Sequence, residues 1–295
     1  MGTSDSSNGS GSDTPLVPTW LEEPDSTPLP IGDDSTHQDN GGDENSQDTQ
    51  TDVEDSDQKK PTVQPASQPE RFRSARSNFS RFAGSGGSNR RALRRAVRDY
   101  VRSGTGGRQN AVRRMGTSRG AARNALDVFR SIQRDGVQET LRRLDLQNLS
   151  GRSVTDVFLG LTGVICRDGG SVDEAIGRDA WLETIAVLDQ LGIDNLDALS
   201  PEQIKEVFLS FIGHTIEARL YQEIGVNGFR FSEDLDDIEG FDRQFRDYIE
   251  RTVRDSFTGD LTELSDMSNE DISKVVDKTY LEAWELLEIL GDLER

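Results

Sequence analysis

Apolar residues recur at intervals of three and four through residues 124–295, and no run there alternates convincingly with a period of two. Intervals of three and four place side chains on one face of an α-helix, whereas a half-buried strand needs strict alternation. An earlier stretch, from Leu93 to Val101, has the same helical spacing. The pattern predicts an all-α fold, with a bundle-like helical domain of about six or seven helices.

Local signals also predict where several of these helices begin and end. Ser171 with Glu174, and Ser200 with Gln203, match the capping box, in which side chains satisfy the first free backbone N–H groups of a helix. Pro201 follows at a first helical position, where its missing N–H costs nothing. Glycines that follow the apolar stripes predict helix ends at Gly136, Gly192, Gly225, Gly259 and Gly291.

The ionisable residues fall into three blocks that the net charge of −20 conceals. Residues 1–70 carry 16 acidic and 2 basic side chains, residues 71–123 carry 15 arginines and 1 acidic residue, and residues 124–295 carry 37 acidic and 17 basic side chains. The first block has few apolar residues and cannot offset the cost of ordering, so it is predicted to be a long disordered tail. We therefore expect an acidic tail (1–70), an Arg-rich, partly helical segment (71–123) and an acidic all-α domain (124–295).

The remaining composition excludes several classes of protein. A single cysteine rules out an intramolecular disulfide framework and a cysteine zinc site, and it suggests a reducing compartment. Two histidines are too few for an all-histidine metal site, and no stretch approaches the ~18 apolar residues of a membrane helix. The first residues lack the basic and apolar regions of a secretory signal. We expect a cytoplasmic chain with no bound metal or cofactor.

One apolar island, residues 15–21, interrupts the acidic tail. It contains Leu16, Val17, Trp20 and Leu21, flanked by prolines that favour an extended backbone. Large apolar side chains in a polar tail are typical of a short docking motif that a partner protein buries. The alternative is that the island packs on the folded part of its own chain.

The second residue, Gly2, is a candidate modification site. Its small side chain predicts removal of Met1, which would leave a glycine amine at the end of a flexible leader. Gly2 and Ser6 also fit the permissive pattern for N-myristoylation, which has meaning only in a host with the transferase.

The Arg-rich segment allows three interpretations. Its arginines suit bidentate contacts to phosphate or carboxylate, so the partner is nucleic acid, an acidic protein or the chain's own acidic helices. Binding to nucleic acid would use Phe or Tyr for stacking, and the glycine-rich loops at 84–87 and 104–107 for phosphate. The candidate contact residues are Arg90, Arg91, Arg94, Arg95, Arg98, Arg102, Arg113 and Arg114.

The acidic domain offers little sign of catalysis. His214 lies at the edge of an apolar stripe with Glu217 three residues on, which is typical of a hydrogen-bonded boundary histidine. Cys166 precedes an arginine that would lower its pKa, but no histidine base accompanies it. We therefore interpret the chain as a non-enzyme, with an enzyme built on His214 or Cys166 as a minor alternative.

Several segments of the sequence resemble the QatB family, accessory proteins of the bacterial Qat anti-phage defence system. The similarity lies in Met1–Ser4, the island at 15–21, the stretches 71–87, 90–96 and 113–116, and the body segments 173–180 and 214–220. It covers nearly the whole chain apart from the acidic stretch of about 32–69. None of these segments is a catalytic signature.

This resemblance implies an operon with three partners. They are an ATPase (QatA), a QueC-like enzyme (QatC) and a TatD-like metal-dependent DNase (QatD). QueC-like enzymes activate a carboxylate with ATP, which implies that Gly2 is an amine acceptor for the QueC-like partner. The resemblance thus favours a non-enzymatic, partner-binding defence component that is modified at its N-terminus. The alternative is a nucleic-acid-binding adaptor that uses residues 90–123.

Overall fold

The computed structural model describes residues 70–166, 170–225 and 234–293, and every regular element within them is helical. The predicted all-α fold is therefore confirmed. The α-helices are α1 (Arg73–Ala83), α2 (Arg90–Asp99), α3 (Arg108–Arg114), α4 (Gly116–Asp135), α5 (Val137–Arg143), α6 (Val154–Gly160), α7 (Thr162–Ile165), α8 (Val172–Ala186), α9 (Pro201–Leu220), α10 (Leu235–Ser256) and α11 (Asn269–Asp292). None of the described helices is both long enough and apolar enough to span a membrane.

Two of the helices continue into a single π-helical turn. Residues Tyr100–Gly104 extend α2 in this way, and residues Tyr221–Gly225 extend α9. Such turns are rare and often mark functional positions, because they push side chains out of the regular helical register. Both turns contribute to the polar network described below.

The predicted helix starts on α8 and α9 are confirmed in detail. Ser171 and Glu174 exchange both hydrogen bonds of a capping box, as do Ser200 and Gln203, and Pro201 occupies the first turn of α9. Gly136 ends α4 with a φ of 83°, a conformation that favours glycine.

Helix α9 lies at the centre of the fold. It packs against α4, α8 and α10, while α11 packs against α2, α3, α4 and α10. The largest side chains of these helices, including Trp181 and Trp284, are fully buried. The buried side chains of α1 to α3 belong to the same hydrophobic cluster as those of α4 to α11. The Arg-rich segment is therefore part of the packed structure.

Helix α1 was not anticipated, because its sequence reads as arginine alternating with phenylalanine. In the structure Ala75, Phe79 and Phe82 share one buried face. The ring of Phe79 lies 5.7 Å from that of Phe241 and 5.0 Å from that of Phe245, centroid to centroid. These phenylalanines, which the nucleic-acid interpretation used for stacking on bases, are core residues instead.

The helix end predicted at Gly291 differs by one residue, because α11 continues to Asp292. The end predicted at Gly192 is wrong, because α8 ends earlier, at Ala186. Gly291 serves close packing: a Cβ at this position would lie 2.6 Å from the carbonyl oxygen of Arg94 and 2.4 Å from the Cβ of Arg98. The glycine lets α11 approach α2.

Candidate functional site

Arginines of the Arg-rich segment pair with carboxylates on one face of α11. Arg102 contacts Glu288 at 2.7 Å and also Asp292, and Arg108 contacts Glu285 at 2.6 Å. Further along α11, Arg119 lies 2.6 Å from Asp277, which Arg123 also contacts. These contacts support the interpretation in which the segment lies against the chain's own acidic helices.

A more deeply buried network surrounds Glu223, in the π-helical turn that follows α9. Arg219, whose side chain is 6% exposed, pairs with Asp173 of α8 at 2.7 Å and with Glu223 at 3.4 Å. It also donates to the carbonyl oxygen of Arg114 at 2.8 Å, while Arg114 pairs with Glu223 at 2.9 Å. From α1, Arg76 donates to the carbonyl oxygen of Glu223 at 3.1 Å. The network joins helices α1, α3, α8 and α9.

An aromatic stack lies beside this network. The rings of Phe72 and Tyr100 are 5.5 Å apart, and those of Tyr100 and Trp284 are 5.4 Å apart. Burial, with the nearby charge of Glu223, raises the pKa of the Tyr100 phenol far above its ordinary value. Tyr100 is thus a neutral core residue, and its ring is not available for stacking on a base.

The eight predicted contact arginines lie on α2, its π-helical turn and α3. Arg98 pairs with Asp99 at 2.6 Å, and Arg90 donates to Gln244 at 2.9 Å. Arg113 bonds Asn110 on its own helix. Each of Arg91, Arg94 and Arg95 also has an interaction partner. Arg102 and Arg114 also pair with carboxylates of the same chain. Five of the eight arginines are exposed: Arg90, Arg91, Arg102, Arg113 and Arg114.

The first glycine-rich loop, residues 84–87, which the nucleic-acid interpretation assigns to phosphate, lies against the start of α10. A Cβ on Gly86 would lie 2.4 Å from the carboxylate of Asp237, and a Cβ on Gly87 would lie 2.7 Å from the carbonyl oxygen of Gly240. A carboxylate in close contact with the loop repels an anion. The carboxylate of Asp237 therefore argues against phosphate binding at residues 84–87.

A second polar region lies between α8, α9 and α10, around His214. The His214 side chain is 2% exposed, and its Nε2 lies 3.3 Å from the hydroxyl of Ser210. Its ring nitrogens are 3.8 Å from Glu217 and 3.9 Å from Glu250. The contact with Ser210 agrees with the predicted hydrogen-bonded histidine, but the side chain is buried between the helices instead of lying at the boundary.

The thiol of Cys166 is buried at the end of α7. It donates a hydrogen bond to the carbonyl oxygen of Gly177 at 3.4 Å. Burial raises the pKa of this thiol to about 11, although the positive charge of Arg178 acts in the opposite direction. Neutral pH therefore leaves Cys166 as the thiol, which is a weak nucleophile.

The raised pKa of Cys166 predicts a slow reaction of its thiol with disulfide reagents. Reaction with a thiol-specific disulfide reagent at pH 8 is expected to be at least about 100-fold slower in the native chain than in urea, because an unfolded cysteine has a pKa near 8.5. Between pH 7 and 9 the native rate should rise about tenfold per unit, in proportion to the thiolate. A native rate that levels off below pH 9 would contradict the raised pKa.

The candidate residues of the tail lie outside the described residues. They are Gly2, Leu16, Val17, Trp20 and Leu21. The sequence did not indicate the network around Glu223, because its members are far apart along the chain. The separate ion pairs with α11 did have a signal, because Glu285, Glu288 and Asp292 lie on one helical face at a spacing that predicts an acidic stripe.

The described residues contain no group of three or more histidine, cysteine, aspartate or glutamate side chains arranged to hold a metal ion. No curated protein and no solved structure matches the chain. Residues 106–287 match the family model described as the Qat anti-phage system associated protein QatB. This match covers more than half of the sequence and runs from just before α3 through most of α11. The chain therefore belongs to the QatB family, associated with the Qat anti-phage system.

Proposed function

We propose that this chain is a non-enzymatic, cytoplasmic component of the Qat system that binds the other Qat proteins and presents Gly2 to the QueC-like enzyme. The observation that carries the proposal is the match of residues 106–287 to the QatB family. A protein of a multi-protein defence system is expected to act through partners of that system. The expected partners are the QueC-like enzyme, the ATPase and the TatD-like DNase.

Two features of the described residues support a role without catalysis. Cys166 is a buried thiol with a raised pKa, and His214 is a buried side chain that bonds Ser210. Neither has the exposed nucleophile and oriented base that covalent catalysis requires. The single cysteine also agrees with a reducing compartment such as the cytoplasm.

The contacts of the Arg-rich segment favour protein partners over the alternative of a nucleic-acid adaptor. Binding to nucleic acid depends on arginines that neutralise phosphates. Here Arg102, Arg108, Arg114, Arg119 and Arg123 each pair with a carboxylate of the same chain. A phosphate would have to displace these carboxylates, so the adaptor has less support than the partner-binding role.

The proposed modification forms an amide at Gly2. The QueC-like enzyme would activate a 7-deazaguanine carboxylate with ATP, and the glycine amine would attack the activated carboxyl carbon. The new C–N bond replaces the bond to the nucleotide leaving group, and the amine loses one proton. The chain contributes the nucleophile, and the partner contributes the activation.

The N-terminal peptide of the purified chain tests this step by mass spectrometry, after expression with and without the QueC-like enzyme. We expect a mass increase equal to the deazaguanine acid minus one water, only when the enzyme is present. A Gly2→Glu variant, which retains Met1, is expected to remain unmodified. The matched variant is Gly2→Ala, which keeps a small second residue and a free amine. Unmodified wild-type peptide in both samples would refute modification at Gly2.

A further inference from the structure

An apolar surface, here called the α11 stripe, lies at the end of α11. Its four residues recur at intervals of three and four, so they share one face of the helix: Leu286, Ile289, Leu290 and Leu293. Leu286 and Leu290 are half-buried, while Ile289 is 47% exposed and Leu293 is 74% exposed. A contiguous exposed apolar surface is typical of a contact site.

The first described residues lie beside the same end of α11. The ring of Phe72 is 5.5 Å from that of Tyr100, which in turn is 5.4 Å from the ring of Trp284 on α11. Arg102, two residues after Tyr100, contacts Glu288 of α11 at 2.7 Å. The chain that precedes Phe72 therefore begins close to the last turns of α11.

The apolar island at 15–21 is a segment outside the described residues that could cover this surface. It carries large apolar side chains within an otherwise polar sequence, and residues 22–69 connect it to the fold. A connection of that length can span up to about 160 Å, so it does not restrict which part of the helical domain the island reaches. Because the island and the α11 stripe belong to one chain, their effective concentration is on the order of mM, and a weak contact suffices.

The charges beside the island and beside the α11 stripe are of opposite sign. Residues 22–25, directly after the island, contain three carboxylates. Arginines of α2 lie next to the end of α11, where the guanidinium of Arg98 donates to the carbonyl oxygen of Gly291 at 3.5 Å. Arg91, earlier on α2, has an exposed side chain. An island that lay on the α11 stripe would bring its carboxylates towards these arginines, which favours the contact.

We propose that residues 15–21 dock on the α11 stripe of their own chain, with the ring of Trp20 over the exposed apolar side chains. A second copy of the chain is a poorer occupant, because both copies would bring acidic residues of α11, among them Glu285 and Glu288, into one interface. Docking leaves residues 2–14 as a leader at most about 45 Å long. The use of that leader to present the glycine amine rests on the proposed function, whereas the contact itself does not.

Quenching of tryptophan fluorescence by acrylamide tests the contact in the full chain, without any partner protein. Trp181 and Trp284 are fully buried, so the quencher reports on Trp20. A Trp20→Phe chain supplies the background signal of the two buried rings.

Two double variants remove exposed apolar side chains at different places. Ile289→Ser/Leu293→Ser changes the α11 stripe. The matched control, Leu159→Ser/Leu182→Ser, changes residues of α6 and α8 that are 47% and 41% exposed. Thermal unfolding followed by circular dichroism verifies that each chain is folded, and light scattering gives its oligomeric state.

We expect Trp20 to be quenched at least about threefold more readily in the stripe variant than in the wild type and the control. Equal quenching of the stripe variant and the control would overturn the proposal, whether Trp20 is protected in both or open in both. A wild-type dimer that only the stripe variant loses would also overturn it, because the occupant would then be a second copy. These results do not involve Gly2, so the mass spectrum of the N-terminal peptide decides the proposed function separately.

Discussion

Replacement of Arg219 with methionine is expected to lower the free energy of unfolding by about 3 kcal/mol, because it removes one side of a buried ion-pair network. The guanidinium is 6% exposed and contacts Asp173, Glu223 and the carbonyl oxygen of Arg114. Methionine fills much of the volume but leaves the carboxylate of Glu223, 11% exposed, with fewer donors. Urea unfolding followed by tryptophan fluorescence measures the change.

The matched control is Arg102→Met, on the exposed side of the same segment. Arg102 also contacts two carboxylates, but its side chain is 40% exposed. Solvent-exposed ion pairs contribute little, so we expect a loss of no more than about 1 kcal/mol. Similar losses for the two variants would show that burial around Glu223 does not strengthen the pairs that Arg219 makes.

Features that depend on neighbouring residues could be predicted from the sequence. The capping boxes at Ser171 and Ser200 are local, because each needs a serine, a partner three residues on and an apolar stripe behind it. These signals were sufficient for the all-α fold and for the starts of α8 and α9.

Contacts between distant residues could not be predicted in the same way. Arg219 and Asp173 lie on different helices, and only the packing of α8 on α9 brings their charges to 2.7 Å. Helix α1 was missed because arginines between its apolar residues suggested a nucleic-acid segment, whereas Phe79 and Phe82 occupy one buried face. A charge pattern alone does not distinguish a partner from the chain's own helices.

Truncation to residues 106–295, where the match to the family model begins, is expected to abolish cooperative unfolding. Residues 70–105 contribute six large side chains to the core: Phe79, Phe82, Leu93, Val97, Tyr100 and Val101. Burial of such side chains contributes about 1.5–3 kcal/mol each, so their combined loss is about as large as the whole stability of a typical domain. Thermal unfolding by circular dichroism, with limited proteolysis, measures the difference from a chain of residues 70–295.

The physical reason is that α1 and α2 cover aromatic residues of the acidic helices. Without them Phe241 and Phe245 lose their contacts with Phe79, and Trp284 loses its stack on Tyr100. The point variant Phe79→Ala, which keeps every helix, should instead unfold cooperatively with a loss of about 3–5 kcal/mol. If residues 106–295 unfold as sharply as residues 70–295 and at a similar temperature, the Arg-rich segment is a dispensable addition. If the transition is lost, the folding unit begins at α1. The Arg-rich segment is then part of that unit, although the match to the family model begins only at residue 106.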